Sequence, residues 1–405
     1  MRRFIIIGLI AFGILGASNK ALFAEERKTL EELLIEKGTI TKEEAAELQS
    51  EKLSKWVDRI TFYGDFRLRQ ENFMREDPNV DRSRQRFRLR MTTELKIEDF
   101  VIGVRLASGT GEQVSTNQSF DNLFSQKQLW IDRAYLQWRG LPWMTLTGGK
   151  MQNPFFWIYT TDLVWDEDVN PEGFAQNFTF KPSDQLLLFA NFGQLILDED
   201  SNDNNDQWLF GEQAGAQIGV SKNTKMTLAG AFYNYKNATK GSFGQNAVQD
   251  GNTRVPPTPP STTATNILAY PFRVLDLTAE FATKIGSLPV AIQGDYVKNL
   301  ADPKSGKDTG YQVGLRLGKA SDPETWEFAY YYKLLEMDAT VADIADSDFG
   351  NGGTNRKGHI VWGAYSVTKA LQFKTKYFMT EVEDETLSPK KDDIKRLQVD
   401  LVMKF

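Results

Sequence analysis

The chain has 405 residues, of which 41% are hydrophobic, 25% charged and 12% aromatic, with 31 glycines and no cysteine. A formal charge of −6 argues against nucleic acid as a partner, and the missing thiols remove disulfides, cysteine catalysis and thiolate metal sites together. A mean hydropathy of −0.42 excludes a bundle of transmembrane helices but suits a membrane β-barrel, in which alternate residues face water.

Residues 1–24 carry Arg2 and Arg3, an apolar run from Phe4 to Gly16 and a small-residue stretch ending near Ala24, the layout of a secretory signal peptide. Residues 25–58 lack any strand pattern. Thr29 with Glu32 and Thr41 with Glu44 make two capping boxes, and Gly38 stops the first of two short helices. Leu30, Leu33, Leu34, Ala45 and Leu48 fall at helical spacing. The segment reads as a periplasmic helical arm, either solvated or lying beneath a homotrimer.

From residue 59 to residue 405 the period is two. In Ile60–Leu68, Phe62, Phe66 and Leu68 alternate with Tyr63, Asp65 and Arg67. Phe87, Leu89 and Met91 alternate with Arg86, Arg88 and Arg90. Fourteen further segments follow, from Ile102–Leu106 to Arg396–Phe405. The expected fold is an all-β, antiparallel, up-and-down barrel of about sixteen strands. Short turns follow even-numbered strands, as at Glu98-Asp99 and Gly286-Ser287, and long polar loops follow odd-numbered ones. An even count places both termini in the periplasm.

The final segment puts Leu397, Val399, Leu401, Met403 and Phe405 on one face and Gln398, Asp400 and Lys404 on the other. A terminal Phe405 resembles the C-terminal signature of bacterial outer-membrane barrels, which their insertion machinery reads. The expected setting is the outer membrane, with its lipids and lipopolysaccharide as partners.

Arg67, Arg69, Arg86, Arg88, Arg90 and Arg133 share the parity opposite to the apolar set. Six arginines facing lipid near the midplane would cost roughly 12–24 kcal/mol at ~2–4 each, so they must line a wet interior as a basic wall, with Asp65 and Glu94 neutralising few of them. The connection from Asn153 to Gly173 mixes Phe155, Phe156, Trp157 and Trp165 with Asp162, Asp166, Glu167 and Asp168. Its aromatic residues are costly in water, so the loop is expected to fold inward and set its carboxylates across an aqueous gap from the arginines. Such a transverse field selects small hydrated solutes.

The stretches RFRLRMTTELKIED, GVRLASG, WIDRAYLQW, GGKMQNPF, DLVWDEDVNPEG and LQVDLVMKF resemble the bacterial porins, and most closely the group catalogued as putative porins. The resemblance implies a sixteen-stranded barrel, usually trimeric, with its third outer loop folded into the lumen as a constriction. One departure stands out: Leu186–Gly193 and Leu228–Phe232 are apolar or small on both faces.

Three functions follow. The first is passive diffusion of small hydrophilic solutes and ions; the second is a channel specific for anions or dicarboxylates, given the arginine surplus; the third is a closed adhesin or structural barrel. An enzyme is disfavoured because His359 is the single histidine and no nucleophile elbow surrounds a serine. No cofactor is expected. The carboxylates Asp198, Glu199, Asp200, Asp203 and Asp206 lack EF-hand spacing and suggest at most loosely bound Ca²⁺ on an outer loop.

Overall fold

The computed structural model describes residues 34–35, 37–38, 41–44, 56–75, 81–158, 163–199, 201, 204–244, 251–256, 265–386 and 393–405. Two compact units divide at Arg59. In the first, the Thr41 amide donates to Glu44 Oε2 at 2.7 Å and the Glu44 amide to Thr41 Oγ1 at 3.1 Å, so the second capping box forms. Gly38 adopts φ +67° and donates to the Ile35 carbonyl at 2.9 Å, a left-handed stop that favours glycine. The signal segment and the Thr29–Glu32 box lie outside the described residues.

Sixteen strands, counted among the described residues, make up the second unit. They are β1 (Ile60–Arg75), β2 (Arg82–Ile97), β3 (Phe100–Ser108), β4 (Leu129–Leu141), β5 (Met144–Lys150), β6 (Glu172–Ser183), β7 (Leu186–Asp198) and β8 (Gln207–Ser221). The series continues with β9 (Thr224–Lys236), β10 (Phe272–Ile285), β11 (Leu288–Asn299), β12 (Thr309–Gly318), β13 (Thr325–Leu335), β14 (Arg356–Ser366), β15 (Leu371–Val382) and β16 (Ile394–Lys404). Gln118–Ser119 adds a short pairing beside β2 at Arg86 and Phe87, above the point where β3 ends.

Each strand runs antiparallel to its sequence neighbours, and β1 pairs with β16 from Asp65 opposite Lys404 to Arg75 opposite Ile394. The sheet therefore closes and leaves no edge exposed. All sixteen expected strands appear in order. Several are longer than their pattern suggested: β1 continues through Gln70, Glu71 and Asn72, where both faces are polar and the alternation that marks a strand fades.

Burial separates the faces. Phe66, Leu68, Ile102, Val104 and Leu136 are exposed on the outside, whereas Arg67, Arg69, Arg105 and Gln293 are buried inside. Phe62, Phe100, Trp143, Phe180, Trp326 and Phe373, all outward and exposed, collect at the end with the short turns, as in the aromatic girdle of a membrane barrel.

The apolar core lies inside the barrel. Phe155, Leu163, Val164, Trp165 and Val169 of the third loop (151–171) pack with Phe243 and Leu268 of the fifth (237–271) and Val341 of the seventh (336–355). Their floor is the inner face of β7–β10, at Leu195, Leu209, Tyr233 and Phe272. This explains the stretches that are apolar on both faces: there the outer face meets lipid and the inner face meets loop.

Candidate functional site

The register sets Arg67 opposite Arg88 and Arg69 opposite Arg86, like-charge pairs that would destabilise the sheet on their own. Carboxylates from other elements separate them. Asp65 takes Arg88 at 2.9 Å and Arg90 at 2.6 Å. Asp400 of β16 receives both donors of the Arg69 fork at 2.7 and 2.8 Å, the strong bidentate geometry. Arg67 donates to Asn117 Oδ1 at 2.7 Å and lies 3.8 Å from Asp400. Glu71 gathers Arg84, Arg396 and, at 3.7 Å, Arg86.

A β-bulge opposite Arg105 and Leu106 turns both Asp132 and Arg133 of β4 toward the lumen, and Asp132 pairs with Arg105. The arginines do face inward. The expectation that water solvates them is corrected, because Arg67, Arg69 and Arg88 are buried and carboxylates replace most of the water. Buried guanidinium groups require such partners. Glu71, Asp132, Asp348 and Asp400 were missing from the sequence-derived set. Asp132 sits at a bulge that breaks the period, Glu71 lies past the recognised end of β1, and Asp348 comes from a remote loop.

The third loop lies within the barrel, anchored on two sides. On the apolar side the Phe155 ring meets Tyr233 edge-on at 5.0 Å and covers Gly211, where any Cβ would run into the ring. Gln213 clamps the backbone there, accepting from the Phe156 amide at 2.6 Å and donating to its carbonyl at 2.7 Å. On the charged side Asp168 Oδ1 lies 3.2 Å from Arg90 and 3.8 Å from Arg88, while its other oxygen accepts from the amide and hydroxyl of Thr116, both at 3.3 Å.

Asp166 ties the loop to the seventh instead: its carboxylate accepts from the Ser347 amide at 2.8 Å, and its own amide donates to the Ile344 carbonyl at 2.7 Å. Glu167 is 63% exposed and lies 3.9 Å from Arg88. Asp162 lies outside the described residues. The anticipated aqueous gap between loop and wall is therefore replaced, at Asp168, by direct contact.

Two cavities lie inside the wall, one lined from β3 to β8 and the other from β1 to β6. Toward the long loops, a chamber of about 860 Å³ is lined by seven carboxylates and a single lysine, Lys150. Four of the seven are paired: Asp132 with Arg105, Asp168 with Arg90, Glu172 with Lys150 and Asp343 with Arg254. Glu112, Asp198 and Glu199 have no ion-pair partner among the described residues. Toward the short turns, a chamber of about 260 Å³ is lined by Tyr63, Glu94, Arg133, Arg139 and Gln152.

Arg133 lines the smaller chamber; its Nε donates at 2.7 Å to Oδ1 of Asn170, which lines the larger one, and its Nη1 donates to Gln152 Oε1 at 3.1 Å. No carboxylate lies within ion-pair distance of Arg133 among the described residues. It is the member of the arginine set held by neutral groups alone.

Phe405 closes the barrel seam: the Gly64 amide donates to the Phe405 carbonyl at 2.9 Å, and the Phe405 amide donates back at 3.1 Å. His359 stands on the outer face, its Nδ1 2.8 Å from the Tyr330 hydroxyl, away from the lumen. Among the described residues no group of three histidine or acidic side chains could hold a metal ion; of the acidic outer-loop cluster, Asp200 and Asp203 lie outside those residues.

A closed sixteen-stranded barrel with its third loop folded inside is the architecture of a porin. The profile of the putative porin family matches residues 73–255 and 244–405, and the chain belongs to that family. The structure of Pseudomonas putida OprB is similar at 10% identity with a TM-score of 0.54, the match covering 87% of this chain and 96% of that one. A mutant Rhodopseudomonas blastica porin matches at 9% identity and a TM-score of 0.47, over 85% of this chain and 100% of that one. A loop-deleted OmpT of Vibrio cholerae matches at 13% identity and a TM-score of 0.45, over 85% and 99%. At such identities the likeness is one of fold. No curated protein matched the sequence. Family and fold thus point to a porin-type barrel channel of the outer membrane.

Proposed function

We propose that this porin allows passive diffusion of small hydrophilic solutes and ions through a water-filled, off-axis passage that the third loop narrows. The observation that carries the reading is the pair of chambers, one toward the long loops and one toward the short turns, whose walls are joined by the Arg133–Asn170 hydrogen bond. Solute would enter the acidic chamber, pass Arg133, and leave between Glu94 and Arg139 into the periplasm, where both termini lie. Glu112, Asp198 and Glu199 raise the local concentration of cations at the mouth, and Arg133 is the countering charge on the wall of the inner chamber. Lipids, lipopolysaccharide, further copies of the chain in a homotrimer, and the insertion machinery acting on Phe405 complete the partners.

A second reading is a channel specific for small carboxylates, and the uncompensated charge of Arg133 favours it. Single-channel current across a planar bilayer under a salt gradient separates the readings. A linear current with a modest reversal potential supports diffusion, and a current that saturates with a dicarboxylate and is lost in Arg133→Ala supports specific binding. Silence from a correctly folded barrel would overturn both.

A further inference from the structure

Along the inner wall of β1–β4 the carboxylates mostly pair directly with arginines. Asp65 takes Arg88 and Arg90, Glu71 takes Arg84 and Arg396, and Asp132 takes Arg105. The chamber toward the short turns departs from this. Glu94 of β2 and Arg133 of β4 both line it, yet neither makes an ion pair among the described residues, and each is held by neutral groups instead.

The hydroxyls of Tyr63 and Tyr135 donate to one and the same oxygen of Glu94, Oε1, at 3.1 and 2.7 Å. The other oxygen, Oε2, accepts no hydrogen bond among the described residues. The register explains the reach: Glu94 stands opposite Gly103, and Gly103 opposite Tyr135. A Cβ on Gly103 would overlap the Tyr135 ring, so the glycine lets that ring lie across β3 to the carboxylate. Arg133, the next inward residue of β4, directs Nε to Asn170 and Nη1 to Gln152. Its Nη2 donates to no protein group among the described residues. Apart from Arg139, which is exposed, the rest of the lining is neutral.

We infer that this chamber binds a small zwitterion of the α-amino-acid class. The ammonium group donates to Glu94 Oε2 beside the two tyrosines, and the carboxylate accepts from Arg133, charge-assisted bonds of the stronger kind. Held apart by phenol and amide groups, the two protein charges stay available to a solute that carries both signs. A dicarboxylate brings a second negative charge toward Glu94, and a diamine a second positive charge toward Arg133, so a dipolar solute without net charge fits the pair better than either. The volume of about 260 Å³ lies below the roughly 300–1,000 Å³ of pockets for drug-sized ligands, which suits a single amino acid with a short neutral side chain. The inference rests on the channel reading above and names a solute class for it; it differs from the carboxylate reading in requiring Glu94.

The test is the current of the full-length mature protein in a planar bilayer in dilute KCl, where charges are least screened, with L-alanine added from the short-turn side. L-alanine is expected to reduce the current in a saturable way, whereas propionate and ethylammonium, which carry one each of its two charges, reduce it far less. Glu94→Gln and Arg133→Gln are each expected to raise the half-blocking concentration of L-alanine roughly ten-fold, the factor for about 1.4 kcal/mol, with heat-modifiable migration showing that the variants fold. Glu94→Gln decides between the readings, since a site for carboxylates alone would bind no worse without that charge. Equal block by propionate and L-alanine, block that survives Glu94→Gln unchanged, or an open channel indifferent to L-alanine would overturn the inference and leave the channel reading in place. A folded barrel without current would overturn the channel reading itself.

Discussion

Asp168 of the third loop and Arg90 of β2 lie 3.2 Å apart, and this contact holds the loop against the β2 wall, leaving the β3–β6 side as the open one. Arg90 keeps Asp65 at 2.6 Å when Asp168 is removed, so the loss is less than that of an isolated buried pair. Asp168→Ala is expected to destabilise the loop by about 1.5–3 kcal/mol, the range for a charged hydrogen bond. The barrel should still fold, with single-channel current becoming noisier as the loop detaches. Quiet current of unchanged amplitude would show that the contact does not fix the loop.

Arg133 lines the inner chamber with only Asn170 and Gln152 as side-chain partners among the described residues. Arg133→Ala removes bulk and a positive charge from the same point. Conductance is expected to rise roughly two-fold and selectivity to move toward cations, as local pore charge dictates. A reversal potential that does not change would show that Arg133 does not face the permeation path.

The combined substitution Glu112→Gln, Asp198→Asn and Glu199→Gln neutralises the unpaired carboxylates of the outer chamber. The reversal potential is expected to shift toward anions. The shift should be larger in 0.1 M than in 1 M salt, because the screening length falls from about 10 Å to about 3 Å. An effect independent of salt would point to altered structure rather than altered field.

Acid should release the seventh loop late. Burial works against the charged form of Asp348, yet Arg396 and Arg69 outweigh it and hold the carboxyl well below its usual range. A depressed carboxylate contributes stability that is full above its unfolded value of about 3.9 and is lost as pH falls through the folded value. Proteolysis of the seventh loop is therefore expected to stay slow down to pH 4 and to accelerate only in stronger acid, whereas Asp348→Asn should be cleaved at neutral pH. In the eighth loop Asp384 follows the same sign. The Thr386 hydroxyl and Lys307 pull it down to about 2, so its tie to Lys307 at 3.2 Å should also outlast mild acid.

Gly211 tests the apolar anchor. A side chain there meets the Phe155 ring, so Gly211→Val should lift the third loop from β8 and mimic Asp168→Ala in current noise while leaving Arg90 and Asp65 paired. A variant that behaves as wild type would show that Phe155 has another resting place.

The barrel was legible because one face of each strand must suit lipid, a constraint that imposes a period of two on Phe66, Leu68, Ile102 and Leu136 alike. The inner face obeys no such rule. Arg67 and Arg69 could be placed inside by parity, but their shared carboxylate, Asp400, comes from the far end of the chain, and the third loop's carboxylates could not be assigned to Arg90 or to Ser347 without the register. Period counting also fails where the period slips, as at Asp132. The chambers are properties of how loops pack, and nothing local in the sequence of residues 109–128 or 336–355 records that packing.

The seam between β1 and β16 has a consequence for biogenesis. The second hydrogen-bonding edge of β1 is satisfied only by β16, more than three hundred residues further along the sequence, with Gly64 bonded to Phe405. Until β16 is in place the sheet has two open edges and an apolar outer face, the surface that aggregates. Closure is therefore a long-range, all-or-none step of folding, so that loss of the β16 residues that pair with β1 removes the closure rather than a fraction of it.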